Sequence, residues 1–242
     1  MRRDTKGRVR HPQGVSLFRR GIEVRVRIFK DFWSTVTHAA GLVAAVVGFV
    51  TLLILCEPGV GRVTAACIYG FSLIALFGAS TLYHFLDLGE VGNRWLQRLD
   101  HIGIYLLIAG SFVPAAVVLL DGAWRATILA VIGAWAAGGV ALKLFWMDCP
   151  ERLSTALYVA FGWFGVVPII KAFPHLSAGD LALIIGGGLA YTLGAVIFTK
   201  EWPNPWPERF GHHEIWHLFV LAGATCHWVW ILGVLTTPAY AG

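Results

Sequence analysis

Seven long apolar segments, separated by short polar stretches, fill the chain after residue 32. An apolar stretch of about 20 residues is long enough to cross the hydrocarbon core of a bilayer as a helix. Turn residues such as Glu57-Pro58-Gly59 and Cys149-Pro150 separate the segments. The pattern predicts an all-α membrane protein, a seven-transmembrane helix bundle with spans at 33–55, 63–86, 99–120, 124–146, 153–173, 180–199 and 212–235.

The composition supports the membrane class. The chain is 57% hydrophobic and 14% charged, whereas about a quarter of the residues in a soluble domain are charged. Its four cysteines are scattered without a CxxC pair, so they give no support for a disulfide framework. Because the connections between spans are short, we predict a basic N-terminal arm at 1–32 and a single transmembrane domain at 33–242.

The basic residues are distributed unevenly, and their distribution predicts the orientation. A cytoplasmic N-terminus places ten Lys/Arg of the arm and two near each of the second, fourth and sixth connections on that side, sixteen in all. The opposite side then holds only Arg62, Arg125 and Lys171. The positive-inside rule therefore predicts a cytoplasmic N-terminus and an outside C-terminus, in the plasma (inner) membrane. The arm is expected to be solvated and to contact anionic lipid head groups, and no nucleic-acid partner is expected.

Polar residues within the predicted spans are few, and five of them fall at one level. A charged side chain at the bilayer centre costs about 2.5–3.5 kcal/mol, so it needs a partner or a function. Ser80 and His84 lie four residues apart near the end of the second span, Asp100 opens the third, and His213 and His217 lie four apart at the start of the seventh. In the predicted orientation all five lie in the cytoplasmic leaflet. Three neutral imidazoles and a water form a Zn²⁺ site with one open position. A carboxylate near such a site contacts the ligands rather than the ion itself.

The remaining histidines have simpler interpretations. His38 and His227 are predicted to be hydrogen-bonded core residues, which is the usual state of polar groups inside a bundle. His101 and His212 are each rotated about 100° around the helix from a site residue, so they are expected to face elsewhere. Ser80 either hydrogen-bonds a carbonyl one turn back or acts beside the metal.

A second interpretation arises at the start of the last span. His213-Glu214-x-x-His217 fits the HExxH motif, in which Glu214 would be the general base of an intramembrane metalloprotease. This short motif is weak alone, and the protease interpretation leaves His84 without a role. Exchange of Glu214 for glutamine separates the protease from chemistry based on Asp100.

Several motifs at these positions occur in a fixed order along the chain. They are Thr37-His38-Ala39-Ala40-Gly41, Ser80-x3-His84, Asp100-His101-x-Gly103-Ile104-Tyr105, and His213-x3-His217 followed by Val220-Leu221-Ala222-Gly223. In this combination the chain resembles the hemolysin III branch of the progestin and adiponectin receptor family.

The resemblance implies a fold, a metal and a chemistry. It implies a seven-helix bundle with the N-terminus inside and Zn²⁺ held by His84, His213 and His217. Asp100 and Ser80 would touch the metal through water and act as the catalytic residues. The wider superfamily includes ceramidases, which implies zinc-dependent hydrolysis of a lipid amide or ester, with substrate drawn from the membrane lipids. The alternative is a non-enzymatic sensor, receptor-like or cytolytic protein with a structural zinc ion.

Overall fold

The computed structural model describes residues 15–19 and 22–238, with side chains from residue 29 onward. These residues form three strands, β1 (Val15–Arg19), β2 (Ile22–Ile28) and β3 (Leu86–Asp87). They also form eight α-helices and one 3-10 turn, Phe173–His175. The helices are α1 (Phe32–Leu55), α2 (Val60–Phe85), α3 (Gly89–Leu119), α4 (Gly122–Phe145), α5 (Glu151–Trp163), α6 (Val166–Ala172), α7 (Ala178–Lys200) and α8 (His212–Thr236).

The prediction of seven membrane-spanning segments is confirmed. In the described part of the chain, seven helical segments are long and apolar enough to cross a membrane. The predicted fifth span, 153–173, is an interrupted one that consists of α5, α6 and the 3-10 turn. Pro168 explains the interruption, because it has no N–H to donate to the carbonyl of Phe164 one turn earlier. The orientation of the termini stays a prediction.

Helix α3 begins ten residues before the predicted span at 99–120. Its first turns contain Glu90, Arg94 and Arg98, which the hydropathy pattern excludes from the hydrocarbon. A hydropathy pattern marks the part of a helix that lies in lipid, whereas the helix itself continues as long as its backbone hydrogen bonds do. The polar start of α3 therefore extends the helix without adding a span.

Two glycines allow the helices around the polar residues to approach closely. Helix α2 packs against α1 and α3, and α8 packs against α1, α3 and α7. A Cβ atom added at Gly103 of α3 would lie 2.9 Å from the Cα atom of Leu76 on α2. One added at Gly41 of α1 would lie 2.6 Å from a ring carbon of Phe77. Small residues at such positions let membrane helices pack backbone to backbone, and here they bring four helices together at the polar level.

The segment before α1 is joined to the end of α2 by backbone pairing. Strand β2 pairs antiparallel with β1 and, through Arg27 and Ile28, with β3. The pairing continues as the N–H of Asp31 donates to the carbonyl of His84 at 2.9 Å. No helix or strand was predicted for this arm. Its residues 1–14, 20 and 21 lie outside the described part of the chain, so the predicted contact with lipid head groups stays a prediction.

Candidate metal centre

Three histidines from two helices converge at one end of the bundle. His84 lies in the last turn of α2, and His213 and His217 lie one turn apart at the start of α8. One ring nitrogen from each lies within 4.8 Å of the others, and the Nε2 atoms of His84 and His213 are 3.4 Å apart. The three residues that spacing and depth predicted to meet therefore do meet.

The closest separation in this set and the chemistry of its side chains are compatible with a tetrahedral metal ion. Zn–N bonds of about 2.0–2.1 Å at tetrahedral angles separate the ligand atoms by roughly 3.3–3.4 Å. The observed separation of the His84 and His213 nitrogens is 3.4 Å. Imidazole ligands suit zinc and other late transition metals, whereas magnesium and calcium require oxygen ligands. The residues present could hold such an ion.

A carboxylate that sequence reasoning missed supports the first histidine. Asp31, directly before α1, places Oδ2 3.0 Å from Nδ1 of His84. This contact assigns the His84 proton to Nδ1 and leaves the Nε2 lone pair free for a metal, as in the carboxylate–histidine pairs of zinc sites. The hydrogen bond from His84 also holds the pKa of the Asp31 carboxyl below its ordinary value. The only signal in the sequence was an acidic residue at the start of an apolar span.

A threonine on α1 supports the third histidine in a similar way. Thr37 Oγ1 lies 3.2 Å from Nδ1 of His217, and its own proton is directed to the backbone carbonyl of Trp33 at 2.9 Å. A hydroxyl has one proton to donate, so its oxygen accepts from the Nδ1–H of His217. The Nε2 lone pair of His217 is therefore free to bind a metal. Thr37 belongs to the first of the motifs that carry the resemblance, but no role was predicted for it.

The prediction that His38 is a hydrogen-bonded core residue needs correction. The side chain is buried, but neither ring nitrogen has a hydrogen-bond partner. Its ring stacks on that of His217 instead, with centroids 3.6 Å apart and planes inclined by 16°. The close packing of α1 against α2 and α8 at Gly41, one turn along α1, explains why the two rings lie in contact. The side chain therefore packs against the candidate site.

Asp100 and Ser80 lie beside the three histidines but outside the ligand set. Asp100 is half-buried and close to Ser80 and His84, and both Asp100 and Ser80 line the same cavity. Ser80 Oγ is buried without a hydrogen-bond partner, so it does not bond the carbonyl one turn back. Its neighbour Thr81 does make that local bond, to Phe77 O at 2.6 Å. These positions are compatible with contact to a metal through water, and the predicted catalytic roles stay predictions.

Glu214 is engaged in the structure of the helix start. One carboxylate oxygen accepts from Ser34 Oγ at 2.8 Å, and the other accepts from the backbone N–H of Gly211 at 2.8 Å. A carboxylate in the first turn caps backbone N–H groups and interacts favourably with the helix dipole. Glu214 therefore has a structural explanation and is not part of the cluster of possible metal ligands.

The other histidines of the described residues lie outside this cluster. His101 contacts the Tyr158 hydroxyl through Nδ1 at 3.4 Å, and His212 contacts Asn204 through Nδ1 at 2.9 Å. His227, predicted to be a hydrogen-bonded core residue, lies 3.4 Å from the Ile184 carbonyl through Nε2.

A large cavity extends from the histidines into the bundle. Its volume is about 710 Å³, and apolar side chains of α3, α5, α6, α7 and α8 form most of its wall. It reaches from Asp100, about three turns into α3, to Leu119 at the end of that helix, which corresponds to roughly 28 Å along a helix. The polar groups at its histidine end include Ser80, Asp100 and His213. An apolar cavity with a few convergent polar groups is the usual form of a small-molecule site.

Comparison with known proteins assigns the chain to a family. Residues 26–228 match the profile of the family described as Haemolysin-III related. The chain is 32% identical over 197 residues to Hemolysin-3 of Bacillus cereus, covering 81% of this chain and 87% of that protein. It is 29% identical over 196 residues to the Monocyte to macrophage differentiation factor of Homo sapiens, covering 79% of each chain. The Adiponectin receptor protein of Drosophila melanogaster is 28% identical over 242 residues, covering 90% of this chain and 53% of that protein. The chain is a multi-pass integral membrane protein that belongs to the haemolysin-III-related family, a branch of the progestin and adiponectin receptor family.

Proposed function

We propose that this protein is a zinc-dependent hydrolase that acts on an amide or ester lipid. One observation carries the proposal: three histidines converge at the polar end of an apolar cavity of about 710 Å³. The Asp100 carboxylate and the Ser80 hydroxyl lie on the wall beside them. This combination supports hydrolysis of a substrate with a long apolar part.

The three histidines would hold the ion, and the residues behind them would fix their orientation. When bound, zinc supplies a Lewis acid that makes water ionise near neutral pH and polarises a carbonyl group. His84 is held by Asp31, and His217 is held by Thr37 on one side and by the stacked ring of His38 on the other. Ligands held in this way need little reorganisation during a reaction.

Asp100 and Ser80 have the positions of a general base and an oxyanion donor. The Asp100 carboxylate would orient the attacking water and accept its proton, and that proton is then available to the departing amine or alkoxide. Ser80 Oγ lies on the same wall beside Asp100 and does not bond a backbone carbonyl, so its O–H would donate to the carbonyl oxygen as negative charge develops. The water oxygen becomes part of the product carboxylic acid as the C–N or C–O bond breaks.

A second candidate function is a sensor, receptor-like or cytolytic protein with a structural metal. The observation that favours it is that the histidines join α2 to α8, while Asp31 and Thr37 connect the same cluster to the start of α1. A metal at this position would stabilise three helices without any chemistry. The protease interpretation receives less support, because both Glu214 oxygens accept hydrogen bonds from Ser34 and Gly211.

The proposal is tested on purified full-length protein by metal analysis and by lipid hydrolysis. We expect about one zinc per chain and release of fatty acid from a panel of amide and ester lipids. The His217→Ala variant should lose both the metal and the activity. Asp100→Asn should keep the metal and lose at least about a hundredfold in rate, since general acid–base catalysis typically contributes 10²–10⁴-fold.

Matched controls separate the site from general effects of substitution. His175→Ala removes an exposed histidine from the opposite end of the cavity-lining helices, and Asp121→Asn changes an exposed aspartate before α4. Both should behave as the unaltered protein. If metal-loaded protein hydrolyses no lipid of the panel, the hydrolase proposal is contradicted. The metal would then have only a structural role at this site.

A further inference from the structure

Lys143 is a buried cation outside the histidine cluster. It lies in the last turn of α4, where a lysine usually extends its ammonium group to the membrane surface. Here the residue is only 1% exposed. Lys143 is one of the charges near the fourth connection on which the predicted orientation depends, but the structure places it in the wall of the cavity.

The ammonium group of Lys143 has almost no compensation from the protein. Its one hydrogen-bond partner is the sulfur of Cys149 at 3.6 Å, and sulfur is a weak acceptor. The ring of Tyr158 lies 5.9 Å away, near the limit for a cation–π contact. Lys143 forms no ion pair with a carboxylate of the described residues. A buried charge without a partner is strongly unfavourable, so an anion beside this ammonium group would stabilise its charged form.

A second unsatisfied group lies on the same part of the wall. Ser154 on α5 is buried, and its Oγ lies close to the Tyr158 hydroxyl but makes no hydrogen bond of standard geometry. Both Ser154 and Lys143 line the cavity that the histidines also line. A buried cation and a hydroxyl without a well-formed hydrogen bond on one wall match the needs of an anionic oxygen group.

We propose that Lys143 and Ser154 bind the anionic head group, a carboxylate or a phosphate, of an amphiphile whose apolar chain occupies the cavity. The apolar wall beyond these residues explains why the ligand has a long chain rather than being a free inorganic anion. The proposal goes beyond the hydrolase, because binding at Lys143 needs neither the metal nor a reaction.

The test measures binding by the full-length protein in a neutral detergent. The probes are a long-chain saturated carboxylate, the alkyl phosphate of equal chain length and the neutral alcohol of equal chain length. We expect at least one anion to bind about tenfold or more tightly than the alcohol, the size of one charge-assisted hydrogen bond. The anion that binds more tightly identifies the head group. Displacement of the bound amphiphile by inorganic phosphate as effectively as by the alkyl phosphate would overturn the role of the apolar chain.

Three variants examine the head-group site directly. Lys143→Met should abolish the preference for anions, Lys143→Arg should retain it, and Ser154→Ala should reduce it several-fold. Lys200→Met, which neutralises an exposed lysine at the end of α7, should leave it unchanged. An unchanged preference in Lys143→Met would overturn the proposal, and a lower melting temperature in that case would assign Lys143 a structural role.

The metal site is separated from the head-group site by the His217→Ala variant. Because the proposal places the anion at Lys143, the preference for anions should persist in His217→Ala even though metal and hydrolysis are lost. Loss of the preference in His217→Ala, combined with its retention in Lys143→Met, would assign the anion to the metal and overturn the proposal. Absence of hydrolysis in all variants would contradict the proposed function alone.

Discussion

Asp31 supplies the sharpest test of the candidate metal site, because it touches no substrate-facing group and supports one ligand. In Asp31→Asn the side chain keeps its size and an oxygen that accepts from Nδ1 of His84. The negative charge, which favours the Nδ1–H tautomer and increases the basicity of Nε2, is removed. We therefore expect weaker metal binding with the fold retained.

The magnitude follows from the contact and its exposure. Loss of a hydrogen-bonded partner behind a metal ligand typically reduces metal affinity 10–100-fold, or about 1.4–2.7 kcal/mol. The Asp31 side chain is 42% exposed, so solvent screens part of its charge. The asparagine also retains a neutral hydrogen bond. Both effects point to the lower end of the range, about tenfold.

Competition for zinc against a chromophoric chelator measures this affinity in purified protein. Asp31→Asn should show a dissociation constant about ten times higher, and Asp31→Ala should be weaker still because it also loses the hydrogen bond. Asp121→Asn, an equal change at an exposed site, is the control. An Asp31→Asn affinity equal to that of the unaltered protein would refute the argument that this carboxylate supports His84.

Three further predictions concern the same region. Glu214→Gln should retain the metal and any hydrolysis. It should lose about 0.5–1.5 kcal/mol of stability in a thermal melt, because hydrogen bonds to a charged carboxylate become hydrogen bonds to a neutral amide. Loss of all activity with the metal present would instead favour the protease. Gly103→Ala should destabilise the bundle by about 1–3 kcal/mol because its Cβ would lie 2.9 Å from the Cα atom of Leu76, whereas Gly133→Ala on α4, which meets no atom within 4 Å, should be neutral. Removal of the metal with a chelator should lower the melting temperature of the unaltered protein by several degrees. The melting temperature of His217→Ala should not change, since only a chain that binds the metal is stabilised by it. An equal fall in both proteins would show that the chelator acts elsewhere.

Much of the bundle and the histidine cluster could be predicted because local rules determine them. Span number follows from the lengths of apolar segments, and an i,i+4 spacing places His213 and His217 on one helix face. The alternating direction of the spans then places the end of the second span and the start of the seventh on the same side, so convergence required only that α2 and α8 be neighbours. Such arguments locate ligands that lie within regular helices.

The supporting residues could not be predicted because they depend on contacts between distant segments. Asp31 reaches His84 only because the chain before α1 pairs with the end of α2, and no local pattern in a basic arm signals that pairing. The stacking of His38 on His217 depends on how closely α1 approaches α8 at Gly41. The break between α5 and α6 was missed because a hydropathy pattern does not register a proline that interrupts the hydrogen bonds of a span.

The position of α1 gives the candidate site a property that the ligands alone do not provide. Helix α1 supplies none of the three candidate ligands. Thr37 nevertheless hydrogen-bonds the His217 ring and His38 stacks on its face, while Asp31, directly before the helix, hydrogen-bonds His84. A metal bound by residues of α2 and α8 is therefore coupled to the packing of α1. If the protein is a hydrolase, this coupling holds the ligands rigid for reaction. If it is a sensor, the same contacts would transmit loss of the metal to α1 and to the strand that precedes it. Measuring hydrogen exchange at the β2–β3 pairing with and without metal distinguishes a rigid support from a transmitted change.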